Sequence, residues 1–432
     1  MSQELFERLR RLGLTRGARN LKPVAKPAQS RDLNKQSGLE LLGDRSLRTL
    51  FPSGRLEESG DSACFIVDNV YPVKYKHGHS YLYDLLDQQP SSIAVYCQEE
   101  RLEGLDFRDF VFLDTETTGL YGAGTIAFMV GIAFFETNAQ GEVFVVRQFF
   151  LRDHDDELAM LQILGDFIDS KRGLITFNGH SFDLPLLENR YLMNRLPGSL
   201  RQVPHIDLLP FARRLWRKRF GSVALGNLEK ELLAINRTEA DVPGWLIPTI
   251  YNDYLRSQDA RELRRVFYHN EIDMLSMVTL ADYLVRLISN STLEPHPIDL
   301  YSLGKWQADI GMASAAEKTL KEVLRSDLPL PVFHEALAKL GLLLKRQNRS
   351  SEAVPYWQQW AATSFDEVDA HVELAKFYEW HEKDLKKAER WTLEALSLVD
   401  SWSRNRSGIL HAEMVRPELA HRLTRIQTKL SL

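Results

Sequence analysis

Cysteine is nearly absent: Cys64 and Cys97 are the two in 432 residues, and neither stands in a CxxC pair or a metal-ligand cluster. That argues against a disulfide framework or a zinc site and makes a reducing cytoplasm the expected setting. No apolar run approaches the ~18 residues of a membrane span, and the opening MSQELFERLRRLG is too charged for a secretory segment. No membrane association is expected. GxxxxGK[ST], HExxH and GxSxG are all missing, and Gly119, Gly122 and Gly124 do not fit GxGxxG, which sets aside P-loop, zincin, α/β-hydrolase and dinucleotide chemistry. Nor is there an excess of positive charge. With a net charge of −5 and a pI near 6.2, any nucleic-acid surface must be local.

With 44% hydrophobic and 26% charged residues, the chain is long enough for two or three cores at ~100–200 residues each. Residues 1–49 read as a flexible basic arm, since 1–31 hold eight Lys or Arg against two Glu. Residues 50–104 read as a small α/β lead-in: SACFIVDNVYPV and SSIAVYC as strands, SYLYDLL as a helix between them. His77 and His79 in KHGHS are taken as solvated imidazoles on a turn. From 105 to 290 strand and helix signals alternate, so this region is predicted to be a mixed sheet flanked by helices. DFVFLDTE, TIAFMVGIAFFE, EVFVVRQFFL, GLITFN and VPHIDLL are its strands, the second and third joined as a hairpin across TNAQGE. Beyond Pro295 and Pro297 the β signal ends and repetition begins. LGKWQADIG at 303, LGLLLKRQN at 340 and LAKFYEWHE at 374 recur at spacings of 37 and 34, with Ala316, Ala353 and Ala388 in step. Residues 300–432 are therefore expected to be an all-α domain of about three helix-turn-helix repeats, separable from catalysis at about residue 295.

Three motifs carry chemistry. In VFLDTETTG, residues 111–119, Asp114 and Glu116 are two apart on a strand and share one face. Two carboxylates so placed repel unless a cation lies between them. In ITFNGHSFDLPLLENR, residues 175–190, an apolar strand runs through Asn178 and Gly179 into a helix that bears Asp183. Phe182 and Leu186 are expected to anchor that helix, leaving Asp183 in the cleft. In VFYHNEIDMLSMVTL, residues 266–280, an amphipathic helix carries Asp273 with His269 and Tyr268 about one turn earlier, while Glu271 is assigned to the solvated face. Together these parts suit phosphodiester hydrolysis with two divalent ions, and oxygen ligation favours Mg²⁺ or Mn²⁺.

DTETTG, NGHSFDLP and YHNEID, with HIDLL between the last two, resemble the DEDD 3′–5′ exonucleases of the ribonuclease H-like class. The likeness is greatest to the bacterial YprB-like group, whose members can carry C-terminal tetratricopeptide repeats. The resemblance implies a ribonuclease H-like fold, metal ligation by Asp114, Glu116, Asp183 and Asp273, and an exonuclease acting on single-stranded ends. It implies a supporting rather than ligating place for Asp207, with Asn178 beside it. One departure concerns the base: the superfamily carries His five residues before the third-motif Asp or Tyr four before it, whereas here Tyr268 is five before and His269 four before.

The substrate is nucleic acid, with DNA and RNA both open. RRLWRKRF supplies Arg213, Arg214, Arg217, Lys218 and Arg219 around Trp216. These cations could neutralise phosphates, and Trp216 is either a stacking platform for a base or a core residue. The repeats offer a surface to a protein partner or a distant stretch of substrate. The competing class, a noncatalytic nucleic-acid-binding or scaffold protein on an inherited nuclease fold, must explain why four costly acidic positions are intact.

Helix geometry decides between the exchanged residues. At ~100° per residue, the side chain four before Asp273 lies about 40° from it and the one five before about 140° away. His269→Ala is therefore expected to lower turnover by ~10²-fold or more, the usual range for a general base, and Tyr268→Phe to change it little. A crippled Tyr268→Phe enzyme with a mild His269→Ala would show that the helix register is wrong.

Overall fold

A computed structural model describes residues 46–119, 124–139, 141–197, 202–238, 240–289, 294–402 and 406–432. The basic arm thus lies almost wholly outside the described residues. The chain builds a seven-stranded sheet from β1 (Arg55–Ser59), β2 (Ser62–Pro72), β5 (Phe110–Thr117), β6 (Ala127–Asn138), β7 (Gly141–Phe150), β8 (Gly173–Thr176) and β9 (His205–Asp207). Lys76–His77 (β3) and Ser80–Tyr81 (β4) form a separate ribbon. The sheet order is β1-β2-β7-β6-β5-β8-β9. β5, β8 and β9 run parallel, and the other neighbours are antiparallel. All five strands expected between 105 and 210 are present, and the β6–β7 hairpin closes at Asn138↔Gly141.

Two layers of helix cover this sheet. On one face lie α1 (Glu157–Asp169), α2 (Asp183–Met193), α5 (Ile247–Ser257) and the start of α6 (Leu263–Ser289), packed on Val111, Leu113, Ile132 and Leu174. The other face, with Phe110, Phe112, Phe144 and Ile175, takes α3 (Leu208–Leu215), α4 (Arg217–Phe220) and the rest of α6. The alternation of strand side chains puts Asp114 and Glu116 in the row of Phe110 and Phe112. Helix α2 is anchored by Leu184 and Leu187, which are 1% and 0% exposed. Phe182 and Leu186, the expected anchors, are partly covered.

Three readings of the lead-in are corrected. Its strands make no sheet of their own, because β2 pairs with β7 from Phe65↔Phe150 to Pro72↔Val143 and widens the central sheet. The segment read as a strand at SSIAVYC is helical, over Pro90–Ile93 and Ala94–Cys97; Pro90 stands in the first turn, where its fixed φ starts a helix at little cost. His77 is buried and bonded to the Ser276 hydroxyl at 3.0 Å, and burial lowers its pKa to about 4, so it is a neutral core imidazole; His79 is exposed.

The C-terminal region is helical, as expected: α7 (Pro297–Asp309), α8 (Ala313–Val323), α9 (Leu330–Arg346), α10 (Ser350–Thr363), α11 (Asp369–Trp380), α12 (Leu385–Ser401) and α13 (Arg406–Leu430). Ala316, Ala353 and Ala388 are each fully buried between paired helices. Gly341 is required at one crossing, since a Cβ there would lie 2.2 Å from the Trp357 indole nitrogen. The region does not stand apart, however. One apolar cluster runs from Leu82 and Phe112 through Phe211, Trp216 and Met274 to Leu300, Trp306 and Leu344.

A cut at residue 295 would uncover that cluster. Each of Leu300, Leu303 and Trp306 removed from the core forfeits about 1.5–3 kcal/mol of burial, so the shortened chain is expected to be insoluble or to melt well below the full one. In the full chain, Leu303→Ala should cost about 2–5 kcal/mol in urea unfolding. A loss below ~1 kcal/mol would mean that α7 is only loosely docked.

Candidate active site

The site forms where three segments distant in sequence meet at the end of β5. Asp114 and Glu116 come from the strand, Asp183 opens α2, and Asp273 lies on α6. Thr115, on the opposite face of β5, donates its hydroxyl to Asp183, which ties the start of α2 to the strand. Gly131 pairs with Asp114 across the sheet, and a Cβ on it would meet the Asn270 side chain at 2.1 Å. That gap lets Asn270 lie over the strand, accept from Gln148 Nε2 at 3.0 Å and donate to Asp114 Oδ2 at 3.2 Å. Ligand atoms of Glu116, His269 and Asp273 lie within 4.8 Å of one another.

The electrostatics favour a bound positive charge. Burial holds the Asp114 and Glu116 carboxyls well above their ordinary range, with the other site carboxylates adding to the shift. Asp183 is raised to about 6, chiefly by burial, against its hydrogen bond from Thr115. Asp273 is raised by burial, against the pull of Arg237. A divalent cation would reverse each of these shifts, and the donor set of Glu116, Asp273 and His269, two carboxylates and an imidazole, suits one.

Residues that carried no sequence signal complete the site. Arg237 pairs with Asp273 and is gripped by Glu229 at 2.6 Å through both nitrogens. Glu229 is 1% exposed. Arg237 and Asp241 come from an irregular stretch after a π-helical turn, where no periodicity marks them. Asp241 Oδ1 sits 2.8 Å from His269 Nδ1 and the Arg237 guanidinium 3.1 Å from the same nitrogen. We assign the proton to Nδ1, donated to Asp241, because a carboxylate can only accept and its contact is shorter than that of the arginine. Nε2 is then left with a lone pair, 3.6 Å from Asp273 Oδ2. Tyr268 points away, its hydroxyl accepting the Thr238 N–H at 3.2 Å. The helix begins at Leu263, ahead of both residues.

Asp207 is wholly occupied: Oδ1 accepts from Asn178 N at 2.8 Å and Leu209 N at 3.0 Å, and Oδ2 from His180 N at 3.1 Å. It holds the turn before α2, in which Asn178 takes a left-handed φ of 74° that Asn tolerates better than most residues. One open alternative closes and one expectation fails. Trp216 is 0% exposed, packed edge-on to Tyr283, and cannot stack a base. Glu271 is not on a solvated face, since it accepts a hydrogen bond from the Tyr71 hydroxyl. The five cations around Trp216 divide: Lys218 binds Glu335 at 2.8 Å and Arg219 binds Asp299 at 2.7 Å, whereas Arg213 and Arg217 face the carboxylates. Two clefts meet at Asp273. One of about 500 Å³ is walled by Asp114, Asn178, Arg213 and Arg217, and one of about 460 Å³ by Glu229, Arg237, Asp241 and His269.

Comparison with known proteins agrees with this architecture. A family profile described as RNase_H superfamily matches residues 111–285. The protein YprB of Bacillus subtilis (strain 168) is 32% identical over 367 residues, covering 82% of this chain and 86% of its own length. Among solved structures, the family B DNA polymerase from the hyperthermophilic archaeon Pyrobaculum calidifontis superposes with a TM-score of 0.34 and 16% identity, covering 48% of this chain and 29% of the polymerase. A superposition that loose bears on neither activity nor substrate.

The raised pKa of Asp183 has a sign that can be measured. Between its ordinary 3.8 and about 6 the native state keeps a proton that the unfolded chain has lost, so stability is withdrawn as pH rises through about 6. Two pKa units correspond to about 3 kcal/mol. Asp183→Asn should therefore raise the Tm of the metal-free protein at about pH 8, with an advantage that shrinks toward about pH 5. Melts in chelator that show the same gain at both pH values would remove the electrostatic account.

Proposed function

Since the chain belongs to the family of YprB and carries an RNase H superfamily domain over residues 111–285, we propose that it is a metal-dependent nuclease, a 3′–5′ exonuclease of DEDD type acting on single-stranded nucleic acid. One observation carries this reading. Ligand atoms of Glu116, His269 and Asp273, brought from separate segments, lie within 4.8 Å of one another, and Asp114 and Asp183 are near enough to act on the same carboxyls. Arg213 and Arg217, cations without an acidic partner among the described residues, wall a cleft with Asp114 and Asp273. Arginines facing acids but paired with none are suited to the phosphates of a bound strand.

Two divalent ions, Mg²⁺ or Mn²⁺, would supply activation of water and neutralisation of the leaving oxygen, held by Asp114, Glu116, Asp183 and Asp273. The protein's own groups do the rest. His269 Nε2 accepts a proton from the attacking water, and Asp241 fixes the ring and stabilises the imidazolium that results. Asn270 holds Asp114, Thr115 holds Asp183, and Asp207 with Asn178 shapes the turn between strand and helix. Tyr268 accepts the Thr238 N–H and so supports the backbone next to Arg237. The helix pairs beyond residue 297 are read as tetratricopeptide-type repeats whose outer surface serves a protein partner. A noncatalytic binding role would leave the buried like-charge cluster without a purpose.

The test uses end-labelled single-stranded and duplex DNA and RNA, incubated with Mn²⁺ or Mg²⁺ and with chelator. We expect stepwise shortening of single strands with metal, none in chelator, and at least ~10³-fold loss in Asp114→Ala with an intact circular dichroism spectrum. Undiminished hydrolysis in chelator would overturn the two-metal reading.

A further inference from the structure

Arg213 and Asn178 wall the carboxylate cleft and also a second cavity of about 480 Å³. This second cavity lies among α3, the turn at 178–181, β9, the 96–101 segment and Trp306 of α7. Its acids are spent. Glu99 is neutralised by Arg101 at 2.6 Å, and both Asp207 oxygens are taken by backbone N–H groups. The charges left over are positive. Arg213 and Arg214 are exposed and have no acidic partner among the described residues, and Arg214 lies over the Trp306 ring, 5.1 Å from its centroid. The remaining walls are flat. His180 and His205 stack with centroids 5.9 Å apart and 29° between planes, and Trp306 meets Tyr96 and Phe211 edge-on at 4.9 and 5.3 Å. Burial lowers the His205 pKa to about 4, so this ring is a neutral surface at physiological pH.

Planar rings beside free arginines, in a space of this size, suit a nucleotide: a base to stack and a phosphate to neutralise. We infer that the second cavity holds an unpaired nucleotide of the substrate strand, next to the phosphodiester that is cut. Its base lies against His180, and its phosphate lies on Arg213 and Arg214. The strand passes from one cleft to the other over Arg213, which both share. A base inside a duplex could not enter, so the cavity itself selects single strands. Trp306 belongs to the C-terminal helices, which are thereby part of the substrate site rather than a remote appendage. This inference rests on the nuclease reading for its substrate, but it is tested by binding alone.

The full chain is titrated in chelator with fluorescent single-stranded oligonucleotides of two and six nucleotides and with nucleoside monophosphate, for wild type, His180→Ala and Arg214→Ala. His180 is an exposed side chain, so its truncation leaves the core intact. The six-mer is expected to bind wild type more tightly than the dinucleotide. Each variant should weaken the six-mer about tenfold, and Arg214→Ala should also flatten the salt dependence by about one phosphate contact. Six-mer affinities within about twofold of wild type in both folded variants would overturn the inference. So would a nucleoside monophosphate that binds as tightly as the six-mer and is weakened equally, since the cavity would then take a free nucleotide. If the variants weaken binding as expected but no metal supports cleavage, the nuclease reading fails and the cavity assignment stands.

Discussion

The burial of like charges beside one another is the constraint on which the remainder of the structure depends. Four carboxylates at the end of β5 are each pushed toward their protonated forms by burial. A flexible chain would relax by moving them apart. Here each is fixed to an element that cannot move cheaply: a central strand, the first residue of a helix, and the middle of a helix of 27 residues. The hydrogen bonds from Thr115 and Asn270 and the ion pair from Arg237 partly offset the repulsion without removing it. Such a site is unfavourable alone, and a bound cation would relieve it and so couple folding to metal binding.

Helix α6 transmits that constraint through the molecule. Its first turns pack with α5 on one face of the sheet, and its later turns pack on the other with α3 and the C-terminal helices. The crossing brings Asn270 over Gly131 and Asp273 beside Glu116. The ion pairs Lys218–Glu335 and Arg219–Asp299 then fasten α4 to α9 and to α7, the helix that supplies Trp306. Of the cations in one short segment, some hold the architecture together and the others face the clefts. Alternation of side chains around a helix does this sorting, since successive residues point in different directions.

What the sequence determined by itself was local and periodic. Side-chain alternation was enough to set Asp114 and Glu116 on one face of a strand. Helical spacing set His269, and not Tyr268, beside Asp273, and the recurrence of Ala316, Ala353 and Ala388 marked the helix pairs. Each follows from a repeat of about 2, 3.6 or 34–37 residues, which survives in a linear string. Tertiary structure alone decided what depends on elements remote in sequence or on irregular backbone. Arg237 and Asp241 lie on a stretch without period, so only the folding of that loop onto α6 could bring them to His269. Trp216 could be read either as surface or as core and Glu271 as surface, until Tyr283 and Tyr71 were seen to pack against them. Contacts cross the expected boundaries at 104 and 295, since β2 pairs with β7 and Trp306 packs against Phe211. Burial is a property of the whole packed chain, and a residue's own neighbours in sequence carry little record of which distant surface will cover it.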